Sequence, residues 1–356
     1  MSDSTVSFRK GRGAGGNIVS RFVEHKREVV DDGWEQEERT PRRTEIFTDN
    51  CRTIISHNDS PDVPFTASIN PYKGCEHGCS YCFARPTHTY LDLSAGLDFE
   101  SKIYCKPGAA PLLETELARP RYTPQVIALG ANTDAYQPIE RDLRITRSIL
   151  EVLHAHNHPV AIITKSALVE RDIDLLAPMA GMNLVKVFVS VTTLDRDLGR
   201  QLEPRAAAPQ RRLETIRRLQ QAGIPVGVLM APVIPALNDH EIEHLLGECA
   251  AAGADSAAYV ILRLPHEVKD LFVQWLQEHY PLKAEHVMNR VRDLRGGHEY
   301  RSEFGERMRG SGQYAELIAH RFSLARKKQG LNRRSLELDC SRFRVPPKSG
   351  DQMGLF

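Results

Sequence analysis

Three cysteines, Cys75, Cys79 and Cys82, crowd into the segment NPYKGCEHGCSYCFARP. Thiolates hold soft metals and iron–sulfur cores, and a four-iron core has four corners. A loop that offers three thiols as Cys-x3-Cys-x2-Cys therefore leaves one iron without a protein ligand, open to a substrate or cofactor. Gly74 and Gly78 let the backbone turn around a compact inorganic core. The residues alone leave one alternative, a structural zinc site completed by His57, His77, His88 or Cys105. Such sites usually pair their cysteines twice over, and no second pair is present.

The elements that would position this loop are legible as apolar runs. PFTASIN (64–70), QVIALGA (125–131), PVAIITKS (159–166), LVKVFVSVTT (184–193), PVGVLMAPVI (225–234) and AAYVILRL (257–264) read as strands. They are continuous rather than alternating, as expected when both faces are covered. Amphipathic helical patterns follow five of them, at 142–156, 171–180, 209–223, 239–253 and 267–280. With PFTASIN leading into the cysteine loop, this makes six strand-led units joined by short connections, which implies parallel pairing with right-handed crossovers. The expected fold is α/β, a partial (β/α)6 TIM-type barrel, with a doubly wound open sheet as the competitor. Either places its working site at the C-terminal ends of the strands. The expected organisation is a flexible charged segment over 1–45, the barrel over 46–283, a helical C-terminal extension over 284–340 and a flexible tail over 341–356.

The pattern Cys-x3-Cys-x-aromatic-Cys, with Tyr81 as the aromatic, resembles the signature of radical S-adenosylmethionine (SAM) enzymes. The context NPYKGCEHGCSYCFAR resembles the branch related to spore photoproduct lyase, and the similarity runs from about residue 45 to 330. The resemblance implies a [4Fe–4S] cluster on the three cysteines that binds SAM at its open iron and, once reduced, cleaves it to a 5′-deoxyadenosyl radical able to abstract hydrogen from a substrate. It also implies an electron donor such as flavodoxin or ferredoxin, and places DNA repair or modification first among the functions.

Partners for SAM are expected at the strand ends. Thr133 and Asp134 in GANTDAYQ offer a hydroxyl and a carboxylate to its ammonium group. Lys165 offers a cation to its carboxylate, and the resemblance carries a SAM-binding lysine to this position. Ser190 matches a ribose or carboxylate ligand of the family. Glu203 and Arg205, in the loop LEPRAAAP, are further candidates. Tyr81 and Phe83 flank the last cysteine, where the family packs adenine, and Val228 and Met230 are expected on the opposite wall. Each residue alone has a plainer reading, as a helix cap or a solvated side chain.

The chain of 356 residues carries 47 Lys and Arg against 46 Asp and Glu, so bulk charge selects no partner. Nucleic acid, if bound, must meet a local patch. Residues 321–336, RFSLARKKQGLNRRSL, hold six basic residues and no acid. The run reads as a solvated face, with phosphate binding as the alternative. The last five residues, Gln352 to Phe356, resemble the short motif that binds the bacterial DNA sliding clamp. Leu355 and Phe356 would be its apolar anchors and Gln352 its polar rim contact. His154, His156 and His158 read as a solvated helix end rather than a metal tract, Cys249 as core, and Cys105 as a plain thiol rather than a hydrogen donor. No apolar run approaches the ~18 residues of a membrane span, and MSDSTVSFRKGRGAGG has no signal-peptide core, so no membrane contact and a cytoplasmic location are expected. The competing functions are radical SAM modification of a protein or small molecule, and a non-catalytic, zinc-stabilised, clamp-associated binding module.

Overall fold

A computed structural model describes residues 11–18, 21–22, 43–332 and 337–347. Its strands are β1 (Glu45–Thr48), β2 (Ile55–His57), β3 (Ala67–Ile69), β4 (Tyr72–Lys73), β5 (Lys102–Cys105), β6 (Ile127–Leu129), β7 (Val160–Thr164), β8 (Val185–Ser190), β9 (Val226–Val233) and β10 (Ser256–Ile261). The main sheet runs β10-β9-β8-β7-β6-β3-β2. Its six strands from β3 to β10 pair in parallel, and β2 adds an antiparallel edge. Helices Ile145–Ala155, Ile173–Gly181, Pro209–Gln221, Ile242–Ala251 and Glu267–His279 follow the last five strands in turn. This is the partial six-unit barrel that the alternation of apolar runs implies.

Two layers of side chains leave the strands in opposite directions. Ile127, Leu129, Val160, Ile162, Val187, Val189, Val226, Val228 and Met230 are buried in the core beneath the helices. Ala128, Ala161, Ile163, Phe188, Ser190, Leu229 and Ala231 line the barrel cavity. Val228 and Met230 were expected to line that cavity and do not. β9 is apolar on both faces, so its sequence fixes that it is buried but not which residues point inward.

Three further departures concern the chain ends. Residues 11–18, expected to be flexible, pack on the barrel, with Ala14 buried against Leu97 and Leu271. Asp339 and Arg344 donate backbone hydrogen bonds of 2.9 Å to Asn183 O and His156 O, so residues 341–347, expected as the start of a flexible tail, are docked on the barrel. Beneath them His156 and His158 are buried, not solvated. His158 Nε2 lies 2.6 Å from the Tyr122 hydroxyl, and its ring meets Phe343 edge-on. The tail residues Gln352, Leu355 and Phe356 lie outside the described residues.

The sheet is open, with β10 and β2 as its edges. The C-terminal extension spans this opening. Arg307 forms an ion pair with Asp62, in the loop after β2, and Gly305 N donates to Asp62 Oδ1 at 2.7 Å. The helix Gly312–Lys328 carries Tyr314, half-buried, with Ala315, Ile318, Phe322 and Ala325 on its inner face, whereas Leu317, which helical spacing groups with Tyr314, Ile318, Phe322 and Ala325, is exposed. No helix among the described residues is long and apolar enough to cross a membrane.

Candidate functional site

The cysteine loop begins where β3 ends, and a second small sheet, β1-β5-β4, holds its entry. Tyr72 and Lys73 of β4 pair with Cys105 and Tyr104 of β5, so Cys105 belongs to this support and does not line the cavity. Cys75 N then donates to Phe99 O at 3.0 Å, and Ser80 N to Leu202 O at 3.0 Å. Gly74 and Gly78 both take positive φ, at 84° and 67°. A Cβ at Gly74 would sit 2.8 Å from the His88 ring, and one at Gly78 2.8 Å from the Glu100 carboxylate. Glycine is required here by conformation and by space together.

A fully buried ion pair underpins the loop. Arg85 Nη2 meets Glu100 Oε1 at 2.5 Å, and neither side chain is exposed. Arg85 also donates to Cys79 O at 2.9 Å and to Ala95 O and Gly96 O at 3.0 and 2.9 Å. Glu100 accepts from Ala14 N at 2.9 Å and Gly13 N at 3.2 Å. The glycine-rich N-terminal segment thus completes a buried carboxylate directly behind the thiols. Gly13 lies so close to the loop that a Cβ there would fall 1.6 Å from Gly78 O.

On the other side of the loop is a cavity of about 740 Å³, within the range that holds a small cofactor and part of a substrate. Cys75, Cys79 and Cys82 line one wall together with Tyr81 and Phe83. Thr133, Asp134, Lys165 and Ser190 line it from the ends of β6, β7 and β8. Nine residues singled out by sequence therefore converge on one space. Arg205 does not join them. Its guanidinium pairs with Glu76 at 3.1 Å and its backbone N–H donates to His77 O, so it braces the loop.

The converged residues differ in how fully the protein already uses them. Asp134 accepts from Thr164 Oγ1 and Lys165 N, both at 2.7 Å, and from Tyr136 N at 2.9 Å, with His77 Nδ1 at 3.3 Å. Burial would raise its pKa. The adjacent His77 and these hydrogen bonds outweigh burial and hold it at about 2. Thr133 donates to Gly74 O at 2.7 Å. Both tie the β6 end to the loop. Gln137, fully buried, does the same by accepting from Glu76 N at 2.9 Å and donating to Gly74 O at 3.2 Å. Tyr81 turns its hydroxyl to Glu203, which is buried behind it in an ion pair with Arg212. Glu203 is held at about 2 because Arg212 and Lys165 outweigh its burial. By contrast, Lys165 Nζ forms no ion pair among the described residues and lies 5.9 Å from the Tyr81 ring centroid, while the Ser190 hydroxyl has no protein partner there.

The donor set fits an iron–sulfur core. Burial, and next the Asp134 charge, pushes the Cys75 thiol well up; burial and Glu203 push Cys79 up to about 12. These thiols need a metal's positive charge to ionise. The proposed fourth zinc ligands are committed or distant. His77 is against Asp134, His88 Nε2 is 3.0 Å from Lys102 O, Cys105 is in β5, and His57 is exposed on β2. Among the described residues no three His, Cys, Asp or Glu side chains are placed to hold a single metal ion.

Sequence reasoning missed Arg85, Glu100, Gln137 and Gly13. Arg85 directly follows the loop in the text CFAR, but its buried partner is distant in sequence. The segment around Gly13 has the composition of a disordered arm. Its glycines are instead the residues that allow close backbone approach.

Residues 69–249 match the family model described as the Radical SAM superfamily. An uncharacterized protein of Mycobacterium tuberculosis is 38% identical over 247 residues, covering 68% of this chain and 72% of that protein. An uncharacterized protein of Methanocaldococcus jannaschii is 27% identical over 249 residues, covering 70% of this chain and 89% of its own length. Among solved structures, spore photoproduct lyase complexed with dinucleoside spore photoproduct superposes with a TM-score of 0.56. It covers 80% of this chain and 79% of that one at 15% identity, a likeness of fold. With the family match covering 69–249 and the cysteine signature lining the barrel cavity, this chain belongs to the radical SAM superfamily.

Proposed function

We propose that this enzyme holds a [4Fe–4S] cluster on Cys75, Cys79 and Cys82, cleaves SAM reductively, and acts on a nucleic-acid substrate. The observation that carries the chemistry is the convergence of three buried thiols with Lys165 and Ser190 on one cavity at the strand ends. A cluster on these three cysteines would supply the electron for reductive cleavage of SAM, and with it the means of hydrogen abstraction from a substrate.

The chain's own residues orient and enclose. Lys165 offers its ammonium to the methionine carboxylate, and Ser190 offers its hydroxyl to the same group or to the ribose. Tyr81, fixed by Glu203 and Thr192, and Phe83 give aromatic faces for adenine. Asp134 and Thr133 keep the β6 end against the loop. The apolar lining of Ala128, Ala161, Ile163 and Leu229 excludes water from a reactive intermediate.

Nucleic acid is favoured as substrate by the loop's likeness to the lyase branch, by the fold shared with a lyase solved with dinucleoside spore photoproduct, and by Arg263, Arg309 and Arg326 along the cavity. Two partners follow. A one-electron donor such as flavodoxin or ferredoxin reduces the cluster. The tail residues Gln352, Leu355 and Phe356 dock on the DNA sliding clamp, bringing the enzyme to DNA. The test is anaerobic reconstitution, reduction and assay for 5′-deoxyadenosine, with a search for label transferred into it from deuterated DNA and RNA. No 5′-deoxyadenosine rejects the chemistry; release without transfer from either polymer rejects the substrate. Deleting Gln352–Phe356 abolishes clamp pull-down if the tail is the dock, and unchanged pull-down rejects it.

A further inference from the structure

The cavity that the thiols line also carries three arginines that form no ion pair among the described residues. Arg263 stands just beyond β10, Arg309 ends the helix Glu306–Arg309, and Arg326 lies in the last turn of Gly312–Lys328. All three line the cavity that the cysteines line. None forms an ion pair among the described residues, whereas Arg147, Arg171, Arg211, Arg212, Arg292 and Arg321 each meet a carboxylate. Arg263 Nε and Arg326 Nε are buried without any hydrogen-bond acceptor. The remaining contacts of Arg263 are weak, with Met308 Sδ at 3.7 Å and the Tyr300 hydroxyl at 3.5 Å.

The carboxylates of this cavity are already used. Asp62 is taken by Arg307 and Gly305 N, and Asp134 by the four groups named above. Three guanidinium groups and Lys165 therefore face one half-buried space with no direct ion pair among the described residues, the nearest carboxylate charges being Asp62, already paired with Arg307, and Glu203, already paired with Arg212. Like charges in such a space repel, and buried N–H groups without acceptors are costly. An anion that enters relieves both costs. Two of the arginines are also stacked, Arg263 at 4.7 Å from the Phe83 centroid and Arg309 at 4.2 Å from Tyr259. Stacking leaves guanidinium edges free to fork onto oxygens, beside aromatic faces that suit a base. The SAM carboxylate does not account for the cluster, because Lys165 already serves it on the thiol side. All three arginines fall outside the segment 69–249 that the family model matches.

We propose that Arg263, Arg309 and Arg326 form a subsite for an esterified phosphate of the substrate. The subsite rests on the reading of this cavity as the reaction chamber and deepens it. The phosphate belongs either to a nucleic-acid backbone or to a phosphorylated small molecule, and the experiment separates the two. The full-length reconstituted protein is titrated with fluorescein-labelled oligothymidylate, with its uncharged methylphosphonate counterpart, and with thymidine 5′-monophosphate against thymidine. The same titrations use the R263Q/R309Q/R326Q variant and an R217Q/R218Q control on the exposed helix Pro209–Gln221.

The expected result is oligothymidylate binding that weakens at least tenfold in the triple variant. Its log–log salt slope should become shallower by about 0.7 per arginine. The control should bind like the unaltered chain and the methylphosphonate should not bind. The charged-against-neutral comparisons need no variant and stand even if the triple variant folds poorly. Equal oligothymidylate binding by the unaltered and triple-variant chains overturns the subsite and leaves the nucleic-acid reading intact. Arginine-dependent binding of thymidine 5′-monophosphate without oligothymidylate binding supports the subsite and rejects the nucleic-acid reading. No preference for the charged probe over the neutral one in either pair overturns the subsite.

Discussion

The two sides of the cysteine loop treat charge in opposite ways. Behind it, Arg85, Glu100, Glu76 and Arg205 are matched with each other or with backbone groups, and Glu203 with Arg212. In front, Lys165, Arg263, Arg309 and Arg326 face a cavity and form no direct ion pair among the described residues. A matched buried charge is scaffold, since its partner is already in the fold. An unmatched one is a group kept ready for something that enters. The difference predicts that removing charge behind the loop costs stability, whereas removing it in front costs binding.

The largest effect is expected at the buried pair. Arg85→Met or Glu100→Gln leaves an uncompensated group and should lower unfolding stability by about 3–5 kcal/mol in urea. A loss below about 1 kcal/mol would break the comparison. The second test is pH dependence at the base of the barrel. Burial pushes His158 down to about 4, against roughly 6.5 in the unfolded chain. Its folded pKa is depressed, so its stabilising contribution is whole above about pH 6.5 and is lost as pH falls toward 4. It amounts to on the order of 3 kcal/mol. His158→Gln should flatten the stability profile across that window, and an unchanged profile would place the acid sensitivity elsewhere. Third, Gly13→Ala pushes a methyl group into Gly78 O. It should cost about 1–3 kcal/mol and speed tryptic cleavage after Arg12; equal cleavage rates would show that the segment does not brace the loop. The smallest effect on stability belongs to the cavity side. Lys165→Ala and Ser190→Ala should shift unfolding by no more than about 1 kcal/mol, while SAM affinity falls about tenfold or more for Lys165, the loss of a charge-assisted hydrogen bond. Full SAM affinity in Lys165→Ala would remove it from the binding set.

The same contrast explains what the sequence could tell. All six parallel strands and the three cysteines were legible, because long apolar runs and a tight thiol spacing are local signals. The inward phase of β9 was not, since Val228–Ala231 is apolar throughout and only the packed sheet decides that Leu229 and Ala231 face the cavity. Asp134 was found as a strand-end carboxylate, but its saturation by Thr164, Lys165 N and Tyr136 N is a tertiary fact. Arg205 was placed by its loop, and the loop turns it toward Glu76. Glu100 and Gly13 are 87 residues apart, and no local pattern joins them. The three cavity arginines likewise come from separate elements and gather only when the C-terminal extension spans the open sheet.

The central claim is that Cys75, Cys79 and Cys82 hold a four-iron core with one corner left for SAM. The direct measurement is iron and acid-labile sulfide analysis of anaerobically reconstituted protein, with electron paramagnetic resonance of the reduced form before and after SAM. We predict about four irons and four sulfides per chain, a spectrum altered by SAM, and loss of both in Cys79→Ser. A single bound zinc, or a full cluster whose spectrum ignores SAM, would contradict it.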